Sequence, residues 1–384
     1  MNLTHESLRP VAVTQPGPRN EPSLRTHQGI PSIECLPSGR LFVTWYCGGT
    51  TECRDNYVTL AFSDDGGLTW SEANVVIDPP YPDVRAFDPA LWLAPDGRLL
   101  WFWAQGCGGP DIPPPRLDEV FDGLVGVWFT TILNPDDPPE KLRFSPSRRV
   151  ADGVMVNKPT VLPDGGWALP CSLWSFPCPH RPFHAALHPV YGASCIVTED
   201  NGDTFHRRGT LDVSARPVPP TFDEHQFLVL SDGGLACYVR CKDGIGRSVS
   251  TDQGHSWGLL ETNIAFAQDC RFHIRRLASG RVLLIACTGG IIREKLTAFL
   301  SEDEGMTWPH RLLLDPRQNV SYPDAAVSSA GDICIVYDHE RSRGGFLYLA
   351  RIAEEDILSG TLSSPCSFLH REICHSRPVP TSTA

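Results

Sequence analysis

The sequence predicts an all-β protein, a six-bladed β-propeller, and three observations support this fold class. One turn motif recurs four times, a second turn recurs six times, and helical periodicity is nearly absent. The 384 residues include 33 glycines and 35 prolines, a share above the average for proteins. This composition favours many short strands joined by tight turns.

The first motif follows the pattern Ser/Thr-x-Asp-x-Gly-x-Thr/Ser-Trp/Phe. Its four copies occupy residues 63–70, 198–205, 250–257 and 301–308. The pattern is typical of a hairpin turn in which the Asp side chain caps backbone amides, the glycine takes a positive φ and the aromatic ring packs beneath the turn. One copy would be a weak signal, but four copies predict a repeated structural hairpin.

The second motif is a turn that ends in glycine and is followed by an apolar strand. The six glycines are Gly39, Gly97, Gly165, Gly233, Gly280 and Gly331. They lie 47 to 68 residues apart, which fits four-stranded blades of about 40 to 50 residues with insertions. Pro-rich insertions at residues 110–122 and 176–190 explain the longer intervals, and we expect the second blade to have lost the first motif within residues 134–149.

We expect the propeller to occupy residues 25–358. A polar segment at residues 1–24 precedes it, and a C-terminal tail at residues 359–384 follows it. Both ends of the chain are polar and rich in proline, so we expect them to be loosely held.

The charge of the chain disfavours nucleic acid as a partner. There are 33 basic and 45 acidic side chains, which gives a formal net charge of −12, and no run of lysine and arginine exceeds a pair. A protein that binds a polyanion needs a net basic field or a basic cluster. The longest apolar runs are far shorter than the roughly 20 residues of a membrane-spanning helix, so we expect no membrane insertion.

The 14 cysteines are scattered along the chain and form no CxxC pair. Zinc is therefore not expected, and nothing else in the sequence indicates a metal or a cofactor. The first 22 residues lack the apolar core of a signal peptide. We therefore expect a cytoplasmic protein with reduced thiols.

Polar and charged residues stand seven to twelve positions before the turn glycines, where the inner strand of each blade is expected to begin. Inner strands without a function should carry small or β-branched residues, because a buried charge without a partner costs several kcal/mol. The ring predicts a binding site at the mouth of the central channel, unless its charges simply pair with one another. Its polar and charged members are His27, Arg85, Asp88, Asn157, Lys158, Glu224, His225, Asp269, Arg271, Tyr322 and Asp324.

With these motifs the chain resembles the sialidase (neuraminidase) superfamily, whose six-bladed propellers carry the first motif as the Asp box, or BNR repeat. The resemblance covers nearly the whole chain and implies a propeller with Asp-box hairpins. The stretches at residues 27–32, 84–89 and 157–160 are similar to a divergent sialidase-like branch of that superfamily.

The resemblance also implies roles for individual residues. Tyr322, in the stretch Ser-Tyr-Pro-Asp, matches the family's nucleophilic tyrosine, and Glu224 matches the carboxylate that helps to deprotonate it. Asp55, eight residues ahead of the first Asp box, stands where the family places its acid/base aspartate, although it could instead cap its own loop. Arg240 and Arg293 match two of the three arginines that hold a substrate carboxylate, although each could instead pair with a neighbouring aspartate.

One position departs from the family pattern. The first arginine of the family's triad directly precedes an Ile-Pro pair, and in this chain that position is Gly29. Either Arg85, Lys158 or Arg271 supplies the missing charge, or the substrate is a different sugar.

Three classes of function fit these residues. The leading expectation is a retaining exo-glycoside hydrolase that acts on a terminal acidic sugar, such as a sialic acid or a uronate. A second is a lyase that cleaves uronates with His225 or Tyr322 as base and acid, although His225 could equally be a packing residue. A third is a carbohydrate-binding propeller without catalysis.

Overall fold

The computed structural model describes residues 6–81, 84–107, 125–173, 192–214, 216–220, 222–290 and 292–376. Within these ranges, 24 strands form six antiparallel sheets of four strands each. In every sheet the strands pair in the order in which they follow one another along the chain. The sheets are the six blades of a propeller, and the predicted all-β fold is confirmed.

The first three blades lie in the N-terminal half of the chain. Blade 1 contains β1 (Gln28–Cys35), β2 (Leu41–Cys47), β3 (Tyr57–Ser63) and β4 (Val75–Ile77). Blade 2 contains β5 (Val84–Leu93), β6 (Leu99–Cys107), β7 (Gly126–Ile132) and β8 (Arg148–Asp152). Blade 3 contains β9 (Thr160–Val161), β10 (Trp167–Leu173), β11 (Gly192–Thr198) and β12 (His206–Leu211).

The last three blades follow the same plan. Blade 4 contains β13 (Gln226–Val229), β14 (Leu235–Cys241), β15 (Gly244–Ser250) and β16 (Glu261–Ile264). Blade 5 contains β17 (His273–Arg276), β18 (Val282–Cys287), β19 (Glu294–Ser301) and β20 (His310–Gln318). Blade 6 contains β21 (Val320–Val327), β22 (Ile333–His339), β23 (Phe346–Ile352) and β24 (Phe368–Cys374), with a short helix α1 (Glu354–Ser359) before its last strand.

Apolar cores fill the six interfaces between neighbouring blades, including the interface between blades 6 and 1. The central strands of the blades are buried along their whole length, as in β2, β3 and β14, because a blade packs against a neighbour on each face. At the closing interface, Ser32 Oγ on β1 donates a hydrogen bond of 2.6 Å to Asp324 Oδ2 on β21. The ring therefore closes by packing and by side-chain hydrogen bonds between the first and last blades.

The Asp-box hairpins join the third and fourth strands of blades 1, 3, 4 and 5. In blade 1, Asp65 Oδ1 accepts hydrogen bonds of 2.9 Å from the backbone amides of Leu68 and Thr69, and Asp65 Oδ2 accepts one of 2.6 Å from Thr69 Oγ1. These bonds favour the ionised carboxylate and lower the pKa of Asp65 to about 2. Gly67 takes a φ of +88° in this turn. The predicted structural hairpin is confirmed.

Two blades lack the Asp box. In blade 2, as predicted, the box is absent, and Asn134 caps the connection by accepting a hydrogen bond of 2.6 Å from the amide of Arg143. In blade 6 the connection contains α1, and Asp356 accepts hydrogen bonds of 2.6 Å and 3.0 Å from the amides of Ser363 and Ser364. A polar side chain therefore satisfies backbone amides at this place in both blades, although the motif has been lost.

The two ends of the chain differ from the expectation of loosely held segments. Strand β24 lies within residues 359–384 and pairs with β23, so that Leu347 stands opposite Cys374. Without β24, blade 6 would expose the edge of β23, whose backbone groups would have no partners. Within residues 1–24, Thr14 pairs with Val76 of β4. The insertions at residues 110–122 and 176–190 lie outside the described residues.

Within the described ranges, no helix has the length and the apolar character that a membrane span requires.

Candidate active site

Four non-glycine residues at the start of the inner strands adopt a left-handed backbone conformation. Ile30, Asp88, Glu224 and Tyr322 have φ values of 54°, 47°, 33° and 53°. The strand register shifts at three of these positions, on β1, β5 and β21, and such bulges redirect side chains. A strained backbone of this kind costs on the order of 1–3 kcal/mol per residue and is concentrated at functional sites. The end of the channel where the inner strands begin is therefore the expected position of a functional site.

Tyr322 and Glu224 form a buried hydrogen-bonded pair at this end of the channel. Tyr322 is 6% exposed and Glu224 is 4% exposed. Tyr322 Oη donates a hydrogen bond of 3.2 Å to Glu224 Oε1. Arg240 Nη1 donates one of 2.8 Å to Glu224 Oε2, and Arg240 Nε donates one of 2.6 Å to Asp269 Oδ1. Phenol, carboxylate and guanidinium are thus joined in one chain of contacts.

Two further guanidinium groups lie against the ring of Tyr322. The Cζ atom of Arg293 is 5.1 Å from the ring centroid, and that of Arg341 is 4.7 Å from it. Burial, together with the negative charge of Glu224, raises the pKa of Tyr322 to about 12, while the three arginines act in the opposite direction. The phenol is therefore neutral near pH 7, although the three guanidinium groups offset part of the cost of its anion.

Arg293 and Arg341 also line an open pocket of about 330 Å³, together with Arg343, one carboxylate residue, Glu340, and three polar residues. The pocket volume lies at the lower end of the range for small-molecule sites. No carboxylate among the described residues lies within ion-pair distance of Arg293, and Arg341 is 3.4 Å from Glu52 Oε1. Arg240, by contrast, is fully engaged by Glu224 and Asp269. An anionic ligand would therefore meet Arg293 and Arg341 first.

Asp88 and Glu52 place two carboxyl groups beside the arginines. Asp88 is buried. Burial, followed by the negative charge of Glu52, raises the pKa of Asp88 to about 7. Burial also opposes ionisation of Glu52, but Arg341 and Arg85 hold the pKa of Glu52 below its usual value. Near neutral pH, Glu52 is therefore ionised and Asp88 retains a proton for part of the time.

Arg85 and His27 complete this side of the site. Arg85 Nη1 donates a hydrogen bond of 2.9 Å to Asn56 Oδ1, and the Arg85 guanidinium lies 4.0 Å from the centroid of the Phe87 ring. His27 is buried, and its Nδ1 lies 3.2 Å from Ser342 Oγ. Burial and the charge of Arg341 lower the pKa of His27 to about 4, so the imidazole is neutral at pH 7.

Asp55 lies outside this group of contacts. It is exposed in the loop between β2 and β3, and within the described ranges it has no hydrogen bond to the residues around Tyr322. Its neighbour Asn56 holds the loop, since Asn56 Nδ2 donates a hydrogen bond of 2.6 Å to the carbonyl of Gly48. Glu52, on the same loop, is the carboxylate that reaches the site.

Asp324 is the centre of a second polar network, deeper in the channel. Its carboxylate accepts a hydrogen bond of 3.0 Å from the amide of Ile33 and lies 3.0 Å from His273 Nδ1. Lys158 Nζ is 3.4 Å away and Arg271 Nη2 is 3.6 Å away. Burial alone would raise the pKa of Asp324, but these cations and the His273 contact hold it far below its usual value.

The other polar residues predicted from the inner strands belong to this deeper layer. Arg271 Nε donates a hydrogen bond of 2.7 Å to Asn157 Oδ1, and Asn157 Nδ2 donates one of 2.7 Å to the carbonyl of Glu224. His225 is buried, with its ring nitrogens 3.2 Å from Ser172 Oγ and 3.0 Å from the carbonyl of Ser194. These residues pair with one another and support the strands beneath Tyr322. The predicted ring is therefore two layers, an outer one around Tyr322 and a deeper one around Asp324.

The sequence matches the model of the BNR repeat-like domain over residues 39–335. The chain belongs to the BNR repeat-like domain family. Together with the six blades and the Asp boxes, this match confirms the predicted membership of the sialidase-like superfamily. No curated protein sequence is significantly similar to the chain.

Solved structures with the same fold are distant in sequence. A protein of unknown function from Dyadobacter fermentans has a TM-score of 0.64 at 17% identity, with 89% of this chain and 97% of that one covered. The Ruminococcus gnavus intramolecular trans-sialidase, in complex with oseltamivir carboxylate, has a TM-score of 0.65 at 14% identity, with 88% and 96% covered. The leech intramolecular trans-sialidase has a TM-score of 0.65 at 12% identity, with 88% and 69% covered. At these identities the likeness shows the fold alone.

Within this family fold, Arg341 fills the space left by Gly29. A Cβ atom at Gly29 would lie 2.2 Å from Arg341 Cδ and 2.7 Å from Asp338 Oδ2. Arg341 comes from the loop between β22 and β23, on the opposite side of the closing interface. The sequence offered Arg85, Lys158 and Arg271 as substitutes for the absent arginine. Arg341 could not be identified in this way, because it lies in a loop outside the inner strands that the turn glycines mark.

Proposed function

We propose that this chain is a retaining exo-glycosidase that acts on a terminal acidic sugar, with Tyr322 as nucleophile and Glu224 as its base. The observation that carries the proposal is the buried Tyr322–Glu224–Arg240 chain, with two further guanidinium groups against the phenol ring. The likeness to two intramolecular trans-sialidases supports the same class of substrate.

The pKa of Tyr322 explains why a base is needed. A phenol with a pKa of about 12 is almost entirely neutral at pH 7 and is a poor nucleophile. Transfer of the Tyr322 proton to Glu224 leaves the charge of the pair unchanged. As the phenol oxygen bonds to the anomeric carbon, the bond from that carbon to the leaving oxygen breaks, and the leaving oxygen takes the bonding electrons and a proton from the acid catalyst. The guanidinium groups of Arg240, Arg293 and Arg341 stabilise the negative charge that develops on the phenol oxygen. A covalent sugar–tyrosine intermediate then reacts with water, which gives retention of configuration.

The proposal of an acidic substrate rests on two arginine side chains that have few or no carboxylate partners in the protein. Arg293 has no carboxylate partner among the described residues, and Arg341 has only Glu52 at 3.4 Å. A planar guanidinium forms paired hydrogen bonds with a carboxylate. We therefore assign the sugar carboxylate to the pocket beside Arg293 and Arg341. A neutral sugar would leave the half-buried Arg293 without a carboxylate partner.

Two carboxyl groups are candidates for the proton donor to the leaving oxygen. The family resemblance assigns this role to Asp55, which is exposed to solvent. Proton affinity favours Asp88, whose pKa of about 7 keeps a transferable proton near neutral pH. Activity of Asp55→Asn and Asp88→Asn, measured against pH, separates the two. The variant of the true donor loses activity on poor leaving groups and retains it on activated aryl leaving groups, which depart without protonation.

Turnover by the full chain on a panel of aryl glycosides tests the proposal. The panel contains an α-sialoside, a β-glucuronide and a β-galactoside with the same fluorescent leaving group. We expect cleavage of one acidic glycoside, no cleavage of the neutral one, and loss of nearly all turnover in Tyr322→Phe. That variant should fold normally, because a single hydrogen bond contributes only about 1 kcal/mol to stability.

The same assay addresses the other two functions. A uronate lyase releases an unsaturated sugar that absorbs in the near ultraviolet, whereas a hydrolase does not. Of the two groups considered for a lyase, His225 is buried away from the pocket and Tyr322 lies beside it. Binding of a glycoside without turnover would instead indicate a carbohydrate-binding propeller.

A further inference from the structure

A second cavity lies at the other end of the central channel. Its volume is about 570 Å³, and residues at the ends of all six inner strands line it. It therefore lies at the far end of the strands from the residues around Tyr322, which stand where the strands begin. The walls are apolar in part, with Trp92, Leu93 and Leu228 among the lining residues.

The deeper polar network separates this cavity from the candidate active site. Arg271 is fully buried and joins Asn157 to the backbone of β1, since its Nη1 donates a hydrogen bond of 3.1 Å to the carbonyl of Pro31. Lys158 bridges Asp324 and Glu34, with its Nζ 3.0 Å from Glu34 Oε2. These contacts fill the channel between its two ends. A ligand in the far cavity would therefore not touch Tyr322.

His273 lines this cavity and carries an unused hydrogen-bond acceptor. Its Nδ1 is 3.0 Å from the ionised carboxylate of Asp324, which fixes the proton on Nδ1. Burial lowers the pKa of His273 to about 4, so the ring is neutral and Nε2 carries a lone pair. His273 Nε2 is buried and has no hydrogen-bond partner in the described part of the chain. Buried polar atoms normally have partners.

Arg275 provides an uncompensated positive charge on the same face of β17, since alternate residues of a strand point to the same side. No carboxylate of the described residues lies within ion-pair distance of Arg275, and its buried Nε lacks a hydrogen-bond partner. The other cations of the cavity are neutralised, because Arg276 pairs with Glu304 and Lys158 pairs with Glu34.

We propose that the far cavity binds a small hydroxylated carboxylate, such as a sugar acid. The carboxylate accepts hydrogen bonds from the guanidinium of Arg275, and a hydroxyl group donates to Nε2 of His273. The apolar wall that includes Trp92 and Leu228 packs against the carbon skeleton. This proposal does not depend on the reaction at Tyr322.

Calorimetric titration of the full chain with three six-carbon probes tests this site. Gluconate carries both the carboxylate and the hydroxyl groups, hexanoate carries only the carboxylate, and sorbitol carries only hydroxyl groups. We expect gluconate to bind at least about tenfold more tightly than either of the others, because each lacks one of the two charged or polar contacts. Equal binding of all three probes, or no binding of gluconate, would overturn the proposal.

Variants locate the bound gluconate. Arg275→Gln removes a cation that pairs with no carboxylate in the described ranges, so folding should be preserved and gluconate affinity should fall at least about tenfold. Arg311→Gln makes the same change at an exposed arginine of blade 5 and should leave affinity unchanged. Arg341→Gln should also leave it unchanged. If Arg341→Gln abolishes binding and Arg275→Gln does not, gluconate occupies the pocket beside Tyr322 and the far site is refuted. The result of the gluconate titration does not affect the proposed function, which is tested separately by turnover of aryl glycosides.

Discussion

Asp88→Asn is expected to stabilise the protein at neutral pH and to have little effect near pH 4. Burial and the charge of Glu52 raise the pKa of Asp88 from 3.8 to about 7. Because the folded state holds the Asp88 proton more tightly than the unfolded state, this group stabilises the fold fully below about pH 4. That stability is lost as the pH rises through the folded-state pKa of about 7. A shift of about three units corresponds to a free-energy change on the order of 4 kcal/mol.

Urea unfolding followed by tryptophan fluorescence measures this effect at several pH values between about 4 and 7. Comparison of each variant with the parent at the same pH cancels the contributions of other groups, such as His27, whose lowered pKa acts over part of the same range. Asp203→Asn is the control, since the side chain of Asp203 is 83% exposed and its replacement should change the free energy of unfolding little at any pH. A difference between Asp88→Asn and the parent that is independent of pH would refute the argument that Asp88 is protonated in the folded protein.

Three further predictions concern the anion pocket and the fold. Arg341→Gln should raise the KM for an acidic aryl glycoside at least about tenfold, through loss of a charged hydrogen-bond partner; an unchanged KM in steady-state kinetics would exclude Arg341 from substrate binding. Gly29→Ala should also raise the KM, without removing any charge, because the new Cβ would lie 2.2 Å from Arg341 Cδ and displace the Arg341 side chain. A Gly29→Ala variant with the KM of the parent would contradict this prediction. Asp303→Ala should lower the free energy of unfolding by about 1 kcal/mol through loss of its cap, and Glu302→Ala on the same exposed turn should have a smaller effect; equal effects would contradict a structural role for the box.

The fold could be predicted because its signals are local and repeated. Each Asp box specifies one hairpin through contacts within eight residues, and the turn glycines mark the end of each inner strand. Strand β24 could not be predicted in the same way, because its hydrogen bonds depend on the exposed edge of β23 rather than on its own sequence. Its pairing is a consequence of the completed ring.

The candidate site could be predicted only in part. Tyr322 and Glu224 stand at positions that the family resemblance assigns, and the structure brings them together. The depth of each side chain in the channel could not be predicted. Lys158 and Asp88 have the same sequence context, since each directly precedes a proline of an inner-strand segment. Asp88 takes a left-handed conformation and lies in the outer layer near Arg85, whereas Lys158 extends to Glu34 and Asp324. Arg341 could not be assigned at all, because its position depends on how blade 6 meets blade 1.

The central claim is that Tyr322 forms a covalent bond to the sugar. A fluorinated acidic glycosyl fluoride tests it most directly, because the fluorine on the sugar ring slows hydrolysis of the intermediate while the fluoride leaving group allows it to form. After digestion, mass spectrometry should find the sugar attached to the peptide that contains Tyr322, and Tyr322→Phe should carry no label. A label on Glu224 or Asp88, or full turnover by Tyr322→Phe, would contradict the proposed mechanism.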